Sequence, residues 1–132
     1  MKRSSIVLGA AAALTVLALA LRPSPAQELA SWAPPVFEAS GRFADALSRK
    51  DATACQAATT PQLWTRLAPK VAAGTYGSVE VLQSGNLVRP GVAYVHLLCT
   101  HQDGVSDVVT ITLRQLGNEW KVAGGPCGMT PP

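Results

Sequence analysis

The sequence predicts an α+β domain in which N-terminal helices pack on a strongly curved antiparallel meander sheet. Three observations carry that reading. Apolar residues recur at three- and four-residue steps in the first half, as in Val36, Ala39, Phe43 and Leu47, which is the stripe of an amphipathic helix. In the second half they alternate, with Val109, Ile111 and Leu113 on one side and Thr110, Thr112 and Arg114 on the other, which is the signature of a strand with one buried face. Two hairpin dipeptides, Asp103-Gly104 and Gly117-Asn118, fold that half back on itself, because Gly and Asn tolerate the positive φ that a tight turn between twisted strands requires.

The chain opens on an export pattern. Lys2 and Arg3 precede an apolar run over residues 6–21, and small residues follow at Ser24 and Ala26. This order of charge, apolar stretch and small residues marks a signal peptide over residues 1–26, cut before Gln27. The alternative is an uncleaved signal anchor. The sixteen-residue run is shorter than the ~20 residues that cross a bilayer as a straight helix, and tilt or local thinning closes such a gap. Either way the positive flank stays inside and the domain is extracytoplasmic, with membrane contact confined to residues 4–21. No cysteine precedes Cys55, so no lipid-modified cysteine stands at the cleavage point.

Residues 27–35 contain Pro34 and Pro35, with Pro23 and Pro25 just before them. This composition predicts an extended tether, and the folded domain is expected over residues 36–132. Its first helix ends at the cations Arg49 and Lys50, suited to a helix C-terminus. Asp51 reads as the N-cap of a short helix through Cys55. Thr60-Pro61 begins a third helix, with Leu63, Trp64 and Leu67 on its buried side and Pro69 weakening or stopping it. Strand character begins at Ser78, and Ser84-Gly85-Asn86 is either a bulge in one long strand or a turn between two. Pro90-Gly91 turns into a second strand and Asp103-Gly104 into a third. A fourth places Trp120 and Val122 on one face, Glu119 and Lys121 on the other.

Charge excludes one class of partner. The pI near 9.0 reflects the leader: three of the eleven basic residues, Lys2, Arg3 and Arg22, precede Gln27, leaving eight against eight acidic residues. Nucleic acid is not expected, because phosphate binding needs clustered cations and these are scattered.

The order of these elements carries a resemblance. A helix containing Arg42-Phe43-Ala44-Asp45-Ala46-Leu47, a charged break at Arg49-Lys50-Asp51, a short helix, Thr60-Pro61-Gln62-Leu63-Trp64, and a meander closing on Gly117-Asn118-Glu119-Trp120-Lys121-Val122 together resemble the nuclear transport factor 2-like superfamily. The resemblance implies a cystatin-like cone, its sheet wrapped on the helices with a pocket at the open end. It also implies a range of functions: dehydratases, isomerases, polyketide cyclases, non-enzymatic binding modules, and exported accessory components of secretion and conjugation machines. None of the superfamily's enzyme residues maps here by motif, and fold alone leaves function open.

With both hairpin dipeptides read as two-residue turns, Leu98 lies across from Val109, His96 from Ile111 and Tyr94 from Leu113. His96 and Tyr94 then point into the cone beside Trp120 and Trp64, as pocket residues, with Asp45 or Glu38 arriving from the first helix. His96 with Asp45 is the acid-base pair a pocket enzyme would use, and Tyr94, His96 and Asp45 are the weak catalytic candidates. A lone histidine on an apolar strand is more often a hydrogen-bonded core or rim residue, and the three tryptophans are more often core anchors than pocket walls. In the same register Val95 and Leu97 face outward, consistent with a homodimer contact, or are turned inward by a bulge.

Export permits disulfides, and three cysteines allow one intrachain pair. Cys99 and Cys127 would flank Val108 on one sheet face. A straight last strand would hold them about 10 Å apart, two strand spacings, too far to bridge, but Gly124-Gly125-Pro126 lets the tail fold over. Cys99 with Cys127 is the favoured pair, leaving Cys55 buried and free; the two pairings that include Cys55 remain open. Cys99-x-His101 offers two metal ligands at the wrong geometry for a closed site, and no metal or cofactor is expected. The expected function is a non-enzymatic extracytoplasmic binding or assembly module for a protein partner or small apolar ligand. The alternatives are a small isomerase, dehydratase or cyclase and an accessory component of a secretion or conjugation apparatus.

Overall fold

The computed structural model describes residues 25–125. The elements run α1 (Pro25–Ser48), α2 (Ala52–Ala58), α3 (Pro61–Ala72), β1 (Tyr76–Arg89), β2 (Val92–His101), β3 (Ser106–Leu116) and β4 (Glu119–Gly124). The charged and apolar parts of the export segment, and Cys127, lie outside the described residues. The described residues from Trp32 onward form one compact unit.

The helices bury one stripe each. In α1 it is Val36, Ala39, Phe43, Ala44, Ala46 and Leu47, and in α3 Leu63, Leu67 and Val71. Residues 27–35 are helical, where an extended tether was expected. Pro34 and Pro35 lie inside α1; each withholds one N–H from the ladder, but proline's fixed φ near −65° is itself helical. Burying a Val, Leu or Phe contributes about 1.5–3 kcal/mol, so the stripe beginning at Val36 outweighs the missing bonds. Pro69 likewise lies within α3, which continues to Ala72.

The helix ends follow local chemistry. Asp51 accepts from Ala54 N–H at 3.1 Å and Thr60 from Leu63 N–H at 3.4 Å, so both predicted N-caps form. After α1, Asp51 N–H reaches Ala46 O and Lys50 N–H reaches Leu47 O, with Lys50 at φ 56°. This is a Schellman closure carried by a lysine where glycine is usual. After α3, Gly74 makes the same closure.

The four strands pair antiparallel in the order β1-β2-β3-β4. Ser84-Gly85-Asn86 proves to be a bulge: β1 is one strand, its register broken between Val81 and Gly85. The β3–β4 hairpin is the two-residue turn expected, pairing Leu116 with Glu119.

The β2–β3 hairpin corrects the predicted register. His101 N–H donates to Val105 O, enclosing the three residues Gln102, Asp103 and Gly104, with Gly104 at φ 88°. A three-residue loop ending in a left-handed glycine is the next most favoured hairpin after the two-residue turns. It slides the pairing by one: Val95 faces Ile111, His96 faces Thr110 and Leu98 faces Val108. A one-residue slip turns every side chain of a strand over. Ala93, Val95, Leu97 and Cys99 therefore face the helices and are buried, whereas Tyr94, His96 and Leu98 do not. Val95 and Leu97 belong to the core and form no outer dimer surface. Cys99 is on the inner face and Val108, 63% exposed, on the outer one, so they do not share a face.

Candidate functional site

The interior between helices and sheet is filled with side chains. Phe43, Leu47, Leu63, Leu67, Val95, Leu97, Ile111, Leu113 and Val122 are all within 1% of full burial. Among the described residues the buried polar side chains are Ser40, Thr59 and Thr60, and each is committed to backbone: Ser40 Oγ donates to Val36 O at 2.8 Å, Thr59 Oγ1 to Cys55 O at 2.9 Å, and Thr60 caps α3. Among the described residues, no buried side-chain nitrogen or oxygen lacks a partner. Two buried groups have displaced acidities. Burial pushes the Cys55 thiol up to about 11, helped by the Asp51 carboxylate, and burial pushes the Tyr76 hydroxyl up to about 12, helped by Cys55.

The residues expected to form a pocket are dispersed. Tyr94 and His96 meet edge-on on the outer sheet face with ring centroids 5.6 Å apart, and His96 Nδ1 lies 3.0 Å from Thr110 Oγ1. Asp45 is exposed and paired with Arg49 at 2.9 Å. It shares α1 with the inward stripe and does not meet His96. Trp64 and Trp32 are partly buried against the core, and Trp120 is buried within it. Among the described residues, no three His, Cys, Asp or Glu side chains are placed to hold a metal ion, and no helix is long and apolar enough to cross a membrane.

The recess that does form lies elsewhere. A cleft of about 540 Å³ opens between α1, α2 and β4, lined by Ala39, Arg42 and Arg49, by Ala54, Ala57 and Ala58, and by Glu119, Trp120 and Lys121. Alanines make it: α2 reads Ala-Thr-Ala-Cys-Gln-Ala-Ala, so it turns methyl groups where longer side chains would close the gap. Its volume falls within the ~300–1,000 Å³ range of small-molecule sites, which combine an apolar wall with a few polar groups.

The rim is ion-paired. Arg42 meets Glu38 at 3.0 Å, Arg49 meets Asp45 at 2.9 Å and Asp51 at 3.9 Å, and Lys121 meets Glu119 at 3.3 Å. Lys121 Nζ also donates to Ala57 O, a cation on the C-terminal turn of α2, where the helix dipole favours it. Of the residues lining the cleft, sequence reasoning named only Trp120 as a site candidate; Asp45 and Glu38, named there as acids for a pocket, stand behind the rim as partners of Arg49 and Arg42. The signal available was the short alanine-rich helix beside Glu119-Trp120-Lys121, which becomes a wall only once β4 is known to dock against α2. That docking is a parallel bridge between Thr59 and Val122, with Thr60 N–H donating to Val122 O at 2.9 Å.

No protein-family model matches the chain, and no curated protein matches it. Solved structures are similar. A Campylobacter jejuni protein assigned as an NTF2-like transpeptidase superposes with a TM-score of 0.51 at 10% identity, over 65% of this chain and 94% of that one. A SEC-C motif-containing protein of Rhodopseudomonas palustris, RPA3114, gives 0.47 at 14% identity, over 62% and 70%. At such identity the first likeness concerns the fold alone, and the fold is NTF2-like.

Proposed function

We propose that this NTF2-like chain is a non-enzymatic extracytoplasmic binding or assembly module, secreted or membrane-tethered, that binds its partner at the cleft between α1, α2 and β4. The observation that carries the reading is the filled interior. An isomerase- or dehydratase-type site needs a chamber with convergent polar groups. Here that space holds Phe43, Leu47, Leu97, Ile111 and Leu113, and Tyr94 and His96 lie on the opposite face of the sheet.

An oxidising compartment is part of the reading. Cys99 carries no titratable thiol, Cys55 keeps its own, and the chain holds one further cysteine, Cys127; these facts support a Cys99–Cys127 disulfide, which fits an exported domain. Two measurements test the proposal. Intact mass of exported material is expected to begin at Gln27, or at Met1 if the segment is an anchor, and failure of the chain to leave the cytosol would refute the compartment. Purified protein is expected to leave small ketone, epoxide and cyclisable substrates unchanged; turnover that His96→Ala abolishes would replace the module with an enzyme.

A further inference from the structure

We infer that the end of the sheet where the β1–β2 and β3–β4 turns meet docks on an anionic phospholipid surface. The inference goes beyond the cleft and does not depend on it. The two turns, Pro90-Gly91 and Gly117-Asn118, are tied together by Gln115 N–H, which donates to Gly91 O at 2.9 Å. The register sets Arg89, Val92 and Arg114 in one row across β1, β2 and β3, and residues directly opposite one another share a face. That face is the outer one, because Ala93 and Leu113, next in the chain to Val92 and Arg114, are buried against the helices. Among the described residues no carboxylate pairs with Arg89 or Arg114, and both are exposed. Lys121 extends the row from β4, where Glu119 answers it at 3.3 Å. On the same face of β1, Glu80 stands opposite Leu98, six residues along β2 from Val92 and so about 20 Å away. That is twice the ~10 Å over which salt screens a charge, so two uncompensated cations stand at this end.

Apolar side chains select the partner. Val88 is 57% exposed and Leu116 50%, and Pro90 is exposed beside Arg89. An anionic polymer offers such side chains nothing, and two cations are too few to follow a phosphate backbone. A bilayer surface offers both layers. Its phosphates lie at the depth of the guanidinium forks, which match them in two-bond geometry, and its acyl chains lie just below, within reach of the valine, leucine and proline, with the arginine stems spanning the two. Each cation near an anionic bilayer raises affinity about fivefold, so two arginines and a small apolar patch make a reversible contact. It is separate from the membrane contact expected of residues 4–21.

The test follows backbone amide relaxation of the full chain by NMR in bicelles carrying a lipid with a nitroxide on its acyl chain, made either of phosphatidylcholine alone or of phosphatidylcholine and phosphatidylglycerol in equal parts. The amides of Val88, Gly91, Leu116 and Gly117 are expected to relax faster in the mixed bicelles than in the neutral ones, and faster than Gly104 and Val105 in the β2–β3 hairpin at the other end of the sheet. Combined Arg89→Gln and Arg114→Gln should weaken the apparent affinity for mixed bicelles at least tenfold. Combined Val88→Ser and Leu116→Ser should weaken it at least fivefold. All four side chains are exposed, so the native amide spectrum is expected to be retained in both variants. Equal relaxation in the two bicelles overturns the inference, as does relaxation centred on the Gly104 hairpin or none in either bicelle. Polyphosphate that shifts the same amides as tightly as the mixed bicelles, with no effect of Val88→Ser and Leu116→Ser, overturns the lipid and leaves a polyanion site. Shifts of these amides that grow with protein concentration in the absence of lipid overturn it in favour of a second copy of the chain.

Discussion

Ser48 does for the edge of the sheet what a neighbouring strand would do. Its Oγ accepts from Val79 N–H at 2.9 Å and donates towards Ala44 O at 2.9 Å and Val79 O at 3.2 Å, capping β1 where its backbone would otherwise be unpaired beside a buried valine. Ser48→Ala leaves that N–H without a partner, and the expected loss is about 1–3 kcal/mol, read from the urea midpoint. Cys55 and Tyr76 make a second residue-scale prediction. Both are made weaker acids by folding, their pKa values raised, so the unfolded chain gives up these protons first as pH rises. Their contribution to stability is whole below pH 9 and is lost as pH climbs towards 11 for Cys55 and from 10 towards 12 for Tyr76. Denaturation midpoints measured across pH 8–12 should fall, and Tyr76→Phe should remove the later part of the fall. A flat profile would contradict the burial of both groups.

At the scale of the element, glycine has opposite value in a helix and in a bulge. Gly41 lies within α1, where an added Cβ meets nothing within 4 Å, so Gly41→Ala should stabilise by about 0.5–1 kcal/mol through helix propensity and a stiffer unfolded chain. Gly85 sits at the β1 bulge, where a Cβ would stand 2.3 Å from Tyr94 O and 3.2 Å from Val95 Cα. Backbone atoms in a paired strand cannot step aside, and Gly85→Ala should cost about 1–3 kcal/mol or more. Thermal unfolding of the two variants should move in opposite directions. The β2 register is equally a property of the element. Its own alternation, Ala93-Val95-Leu97-Cys99 against Tyr94-His96-Leu98-Thr100, held the correct orientation, since one set is free of strongly polar groups and the other carries hydroxyls and an imidazole. Reading Asp103-Gly104 as a two-residue turn overrode that signal.

For the whole molecule, the helices and the sheet share one apolar core, and the cleft lies at a margin where α1, α2 and β4 meet. If Cys99 and Cys127 are joined, alkylation of the unreduced, unfolded chain should label one cysteine, Cys55, and all three after reduction; three labels without reductant would refute the bridge. Reduction should also lower stability by about 2–4 kcal/mol, the usual range for a bridge that closes a loop.

Helices, caps, the Gly117-Asn118 turn and the α+β class were determined by sequence, because each depends on neighbours within a few residues: a 3.6 or 2.0 period, an Asp or Thr before a free amide, a glycine where φ must be positive. Tertiary structure alone decided that Pro34 and Pro35 stay helical and that alanines of α2 meet Trp120 of β4. Those outcomes compare burial energies between segments far apart in the chain. A one-residue difference in loop length, which the alternation of β2 carried and the Asp103-Gly104 dipeptide masked, was enough to move Tyr94 and His96 from the expected pocket to the outside of the sheet.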